Sequence, residues 1–178
     1  MRIADMLVKE LDLEAAFTRR VLERVPLEKS DWKPHEKSMT LGWLATFSAL
    51  LMTWGVDTMD QDVYDVSSMG KGGKPTLPKT TAELLATFDG IVAKSRAAIA
   101  KASDEHLMTS WTLKAGDHEI FSQPRWLALR TYVFNHAVHH RGQLTVYLRL
   151  LGVPVPAIYN DSADEKGGMF IEGQSIPH

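Results

Sequence analysis

The chain has 178 residues, 44% of them hydrophobic and 24% charged, with a formal charge of −2; this is the profile of a soluble globular chain of one domain, residues 1–178. With no basic block, the balance excludes an electrostatic grip on nucleic acid or an anionic membrane. The absence of cysteine excludes disulfides, thiolate metal ligands and a cysteine nucleophile. The opening Met1-Arg2-Ile3-Ala4-Asp5-Met6 lacks the apolar run of a signal peptide. No stretch approaches the ~20 apolar residues of a spanning helix, so a cytoplasmic protein is expected.

Residues 3–24 read as a helix with Ile3, Met6, Leu13, Phe17 and Val21 on one face. Glu10 falls in the middle of that face, a conflict for a carboxylate. Pro26 ends the segment and Asp31-Trp32-Lys33-Pro34 forms a loop. A second helix is expected from about Met39 to Met59, capped by Ser38, with Trp43, Leu44, Phe47, Leu51 and Trp54 toward the core. Residues 60–79 form a long connection, denied regular structure by Gly70, Gly72, Gly73, Pro75 and Pro78. The Gly70–Gly73 run lacks the spacing of a phosphate loop.

Thr80 and Glu83 make a capping-box pattern before a third helix striped with Leu84, Leu85, Phe88, Ile91, Val92 and Ile99. Thr109–Ser122 alternates weakly around Gly116-Asp117 and suits a short hairpin. Pro124 opens a fourth helix that Gly152, Pro154 and Pro156 stop near Leu151. The remainder, about 157–178, is a partly irregular tail. Together these elements predict an all-α four-helix bundle, with the hairpin before its last helix.

Chemistry concentrates on that last helix. His136 and His140 are four residues apart and share the core-facing side with Gln143 and Tyr147, whereas Arg141 points away and His139 sits on the flank. Two imidazoles at this spacing can present nitrogens to one metal ion, and neutral imidazole suits Zn, Ni, Cu or Fe(II). The alternative is a pair of hydrogen-bonded core histidines. His35, His106, His118 and His178 fall in loops, the hairpin and the tail, as surface histidines do. Trp43, Trp54, Trp111, Trp126 and Phe134 are core or interface aromatics at helical spacing, with no assigned site role.

Asn135-His136, His139-His140-Arg141-Gly142-Gln143-Leu144, Tyr147-Leu148-Arg149 and Gly152-Val153-Pro154-Val155-Pro156, with Ile158-Tyr159, follow one another in order. Upstream stand Val25-Pro26 and the stretch Asp31 to Gly42. Through these motifs the chain, over about residues 20–165, resembles the DinB/YfiT-like metalloenzyme family (not the DNA polymerase of that name). The resemblance implies a four-helix bundle, a homodimer, and a divalent metal on three histidines, one from the second helix and two from the fourth. It also implies relatives among thiol-dependent transferases that use mycothiol or bacillithiol, and a maleylpyruvate isomerase. The two fourth-helix ligands carry over onto His136 and His140. The third does not: the family pattern Leu-Ala-x-His is here Leu44-Ala45-Thr46-Phe47. A phenyl ring has no lone pair for a metal and fills the space an ion and its water need.

Glu10 is the first candidate to replace the missing ligand, since a two-histidine, one-carboxylate site is chemically sound; its competing role is to pair with an arginine. His139 is a second, and Tyr147 and Gln143 could hold a water or a substrate oxygen. The expectation is a metal-dependent transferase or hydrolase, of the thiol-conjugating kind, with Zn or Ni on His136 and His140. The alternative is a non-catalytic, metal-free helical dimer that binds a small apolar ligand or a protein partner. Phe47 favours the second and the Asn135–Leu144 motif the first.

Overall fold

In the computed structural model, which describes residues 1–68 and 76–167, helices frame the molecule: α1 (Ile3–Leu22), α2 (Leu41–Leu50), α3 (Thr53–Asp60), α4 (Thr81–Lys101), α5 (Asp104–Met108), α6 (Arg125–Ala128) and α7 (Asn135–Leu150). A π-helical turn, Leu129–Phe134, joins α6 to α7. The all-α expectation is corrected. Strands β1 (Val63–Asp65), β2 (Ser110–Ala115) and β3 (His118–Pro124) form a mixed sheet in the order β1-β2-β3. β2 and β3 are the hairpin, antiparallel about Gly116-Asp117. β1 lies parallel to β2, inside the connection that sequence pattern left without regular structure.

Two charged side chains explain why β1 forms there. The Asp65 carboxylate accepts from the N–H groups of Gly116 at 3.0 Å and Ser67 at 2.9 Å. These bonds, that of Gly116 foremost, hold it down to about 2, so the hairpin turn is tied to β1. Arg125 is buried and donates to the carbonyls of Thr58 (2.5 Å) and Gln61 (2.6 Å), to the Thr109 hydroxyl (3.0 Å) and to the Asp62 carboxylate. It thereby caps α3 and fastens the start of β1 to α6. Gly70, Gly72, Gly73 and Pro75 lie outside the described residues.

The predicted second helix is two helices. Thr40, rather than Ser38, caps α2, its hydroxyl accepting from the Trp43 N–H at 3.3 Å. The chain then bends at Leu51–Met52. The Ser95 hydroxyl of α4 donates to the Met52 carbonyl, an insertion of the kind that breaks a helical ladder. Gly55 permits the approach, because a Cβ there would stand 2.6 Å from Ser95 Oγ. Gly55→Ala is expected to cost about 1–3 kcal/mol through overpacking, and Gly55→Ala/Ser95→Ala to recover part of it, as chemical denaturation would show; a neutral single variant would mean the approach is slack.

On α1 the predicted face is displaced. The buried side carries Ala4, Leu7, Leu11, Glu14, Ala15, Thr18, Val21 and Leu22 with Phe17, whereas Met6 and Leu13 are exposed. α1 packs against α4 and α7, and α2 against the same two helices. α2 is therefore buried on most of its circumference, at Leu41, Gly42, Leu44, Ala45, Thr46, Ser48 and Ala49. The capping box before α4 forms with a shift: Thr80 accepts from the Glu83 N–H, and Glu83 accepts from the Lys79 N–H rather than from that of Thr80. No helix among the described residues is long and apolar enough to cross a membrane.

Candidate functional site

α7 is held at both ends and rolled into place from behind. At its start the Asn135 N–H reaches back five residues to the Arg130 carbonyl, a widened turn of a type common near functional sites. At its end Gly152, at φ +71°, lets its own N–H bond the Arg149 carbonyl and that of Val153 bond the Leu148 carbonyl, which closes the helix. Arg141 does not point away, as its wheel position suggested; it is 2% exposed. Its guanidinium meets the Glu14 carboxylate at 2.7 Å, the Glu14 carbonyl at 3.1 Å and the Tyr159 hydroxyl, and packs over the rings of Phe17 and Tyr159. The Tyr159 hydroxyl donates to the same carboxylate at 2.8 Å. The buried carboxylate of α1 is thus Glu14, not Glu10. With Arg141 turned toward α1, its neighbour His140 faces α2.

His136 and His140 come together as the wheel predicts. Their Nε2 atoms are 2.9 Å apart, and His140 Nδ1 lies 2.7 Å from Gln143 Oε1. The Gln143 amide nitrogen is in turn 3.0 Å from Nε2 of His139, an exposed side chain. The directions follow from the donor inventory. Gln143 donates to His139 and accepts from His140 Nδ1–H, so neutral His140 turns a lone pair at Nε2 toward Nε2 of His136. Both imidazoles titrate below their usual range: His136 through burial first and then His140, against the Tyr132 backbone acceptor; His140 through burial, against Gln143.

Phe47 closes the other side of the pair. Its ring stands edge-on to His140 and His136, with centroids at 5.1 and 5.8 Å. It also stacks on Trp43 at 6.2 Å and meets Trp54 at 6.0 Å. Trp54 is stacked on Tyr132 at 4.4 Å and on His136 at 5.6 Å, with Tyr64 at 6.5 Å. An aromatic wall from α2, α3, β1 and the π turn therefore flanks the imidazoles. Sequence reading gave Trp54 and Tyr132 no site role. The available signal was the position of Tyr132 one turn before His136.

The other candidates go elsewhere. Glu10 pairs with Arg130 at 3.1 Å, and partial burial raises its pKa against that arginine. Tyr147 is buried, donates to the Met39 carbonyl at 3.1 Å and meets Trp32 edge-on. His35 and His118 are exposed, while His106 is half-buried with Nε2 3.0 Å from the Met59 carbonyl; His178 lies outside the described residues. Among the described residues no three His, Cys, Asp or Glu side chains stand together as metal ligands. The pair offers two nitrogens and Phe47 none, so the donor set falls short of the three or four protein ligands a resident zinc takes.

Three kinds of relative agree with one another. The sequence profile of the DinB family matches residues 74–169, more than half of the chain. "Uncharacterized protein YrdA" of Bacillus subtilis (strain 168) is 24% identical over 179 aligned positions, which cover 97% of each chain. Among solved structures, a DinB-like protein from Bacillus cereus ATCC 10987 superposes with a TM-score of 0.64 at 20% identity, covering 86% of this chain and 95% of the other. A DinB-like protein from Bacillus subtilis, YjoA, gives 0.61 at 18% identity, covering 84% and 95%. These two share the fold. The profile match, with the Asn135–Leu144 motif inside it, establishes that the chain belongs to the DinB family.

Proposed function

We propose that the His136–His140 pair and the aromatic side chains around it form a small-molecule site that works without a resident divalent metal. The observation that carries this is Phe47, edge-on to both imidazoles where the family motif has a histidine. Without a third donor the two rings serve each other, and the bond between them leaves a polar pair set in an apolar, aromatic surround. Such a surface suits a flat apolar ligand with one group able to join the imidazole hydrogen bonds. The test is an NMR titration of the untagged full chain with indole. Shifts at Trp54, Tyr132 and His140 are expected, and their loss in Trp54→Leu; no shift at any of the three would sink the reading.

A second reading, a metal-dependent transferase of the thiol-conjugating kind, has one observation in its favour. Each imidazole has an oxygen acceptor apart from the shared Nε2 contact, Gln143 Oε1 for His140 and the Tyr132 backbone for His136. Outer partners of that sort orient metal-ligating histidines. Zn or Ni would then lie on His136 and His140 and need its remaining ligands from outside this chain's described side chains.

The protein is also proposed to act as a homodimer. Gly142 sits in mid-helix on an exposed face of α7, and a Cβ there would meet nothing within 4 Å. Val146 and Leu150, one and two turns on, are 56% and 60% exposed. A bare glycine costs about 1 kcal/mol in a helix but lets another backbone approach closely. Light scattering is expected to give twice the 19.9 kDa chain mass, and Val146→Glu/Leu150→Glu to give a monomer; a monomeric wild type would refute the dimer.

A further inference from the structure

α3 also borders a recess of about 690 Å³ that contains none of the residues around the histidine pair. Trp54 of that helix turns its ring to Tyr132 and His136, whereas Val56, Met59 and Asp60 line the recess. Opposite them stand Lys94, Ala97, Ala98 and Lys101 of α4, whose spacing puts them on one helix face. Met59 and Ala102, both buried, form an apolar floor with Val56 and Ala98. The volume lies within the roughly 300–1,000 Å³ of small-molecule sites.

The two ends of the recess differ. Ser95 of α4 stands against Met52 and Gly55, and His106 of α5 against Met59, so α3 and α4 advance in the same direction. Asp60 therefore lies toward Lys101, and Lys94 lies at the other end. Around Lys101 the polar groups are already engaged. His106 donates from Nε2 to the Met59 carbonyl at 3.0 Å, since a carbonyl only accepts. The Ser103 hydroxyl accepts from the His106 N–H at 3.1 Å, and Asp60 offsets the charge of Lys101. At the Lys94 end no lining residue among those described is acidic. Lys94 is in no ion pair among the described residues, whereas Arg96, two positions on, holds Asp12 through bonds of 2.8 and 3.0 Å.

We propose that this recess binds a free carboxylic acid with an alkyl body, its carboxylate at Lys94 and its chain along Val56, Ala98, Met59 and Ala102 toward α5. The lining is aliphatic, which suits an alkyl chain rather than a ring system. Lys94 and Lys101 are two turns apart, ~10 Å of helix, which a chain of about eight carbons spans. A neutral analogue gains the apolar floor alone, a carboxylate gains the floor and the ammonium, and an amine meets Lys94 as repulsion. The site is separate from the histidine pair and stands whether or not that pair takes a ligand.

The experiment titrates octanoate, octanamide and octylammonium into the full chain while the Met59 methyl resonance is followed by NMR. Octanoate is expected to bind about threefold more tightly than octanamide, the size of effect one exposed ion pair gives, and octylammonium more weakly than either. Lys94→Gln is expected to remove the preference for octanoate and leave octanamide unaffected, while Lys101→Gln keeps most of it. Ala97→Leu, at an exposed helical position that tolerates leucine, is expected to fill the recess and weaken both ligands. Equal binding of octanoate and octanamide, a preference that survives Lys94→Gln or is lost in Lys101→Gln instead, or binding unchanged in Ala97→Leu overturns the proposal. So does a Met59 methyl that none of the three probes moves.

Discussion

Phe47→His is expected to turn the His136–His140 pair into a metal site. A histidine at that position would face the two imidazoles that Phe47 now meets at 5.1 and 5.8 Å, and three histidines are a complete protein set for an open zinc site. Zinc affinity should rise about a thousandfold or more, which is ~4 kcal/mol, as competition against a zinc dye would measure. The unliganded variant should melt below the wild type, since it loses ring contacts with Trp43 and Trp54, and zinc should raise its melting temperature by linkage. The rise should vanish when His140→Ala is added. No gain in affinity would mean that Phe47 does not stand at the third corner of the site.

Glu14→Ala is expected to have the largest effect on stability. It leaves the Arg141 guanidinium, 2% exposed, without its carboxylate at 2.7 Å, and stranding one member of a buried pair costs about 3–5 kcal/mol. Tyr159→Phe removes a hydroxyl that bridges the same two groups and should cost about 1–2 kcal/mol. Glu14→Leu/Arg141→Met should lose much less than the sum of the single changes, because an apolar pair leaves no stranded charge. Urea denaturation measures all of these. A Glu14→Ala loss under about 1 kcal/mol would show that the pair is open to water. The consequence for the site is direct: Arg141 is adjacent to His140, so the clamp that fixes one fixes the roll of the other.

The resemblance and the wheel on the last helix led to different parts of the truth. His136, His140 and Gln143 were legible because their spacing puts them on one side, and the structure joins all three by hydrogen bonds. Arg141 was misplaced by the same wheel. A position between two faces is decided by whether a partner waits there, and Glu14 lies 127 residues away in sequence. Glu10 stands out in the sequence because it lies among Met6, Leu13 and Phe17, which outweigh Ala4, Ala15 and Thr18 in apolarity, yet the side with the small residues is the one that α1 buries, Glu14 with it. Composition marks the greasier side of a helix, whereas packing selects the side that fits.

The elements that were missed share a cause. β1, the bend at Leu51–Met52 and the π turn are each set by a distant group or a hydrogen-bond shift rather than by local periodicity. Asp65 reaches the hairpin turn, Ser95 reaches Met52, and Asn135 bonds five residues back. The hairpin and the end of α7 were legible because Gly116-Asp117 and Gly152 act locally. The aromatic wall was illegible for the first reason: Trp54, Tyr64 and Tyr132 come from three separate elements, and nothing in their own spacing announces that they meet.

The most direct measurement is a zinc titration of the untagged full-length wild-type chain by calorimetry near neutral pH. With Phe47 beside the two imidazoles, no one-per-chain site as tight as about 1 μM is expected. One zinc per chain bound at about 1 μM or tighter, and lost in His140→Ala, would contradict a site that works without a resident metal.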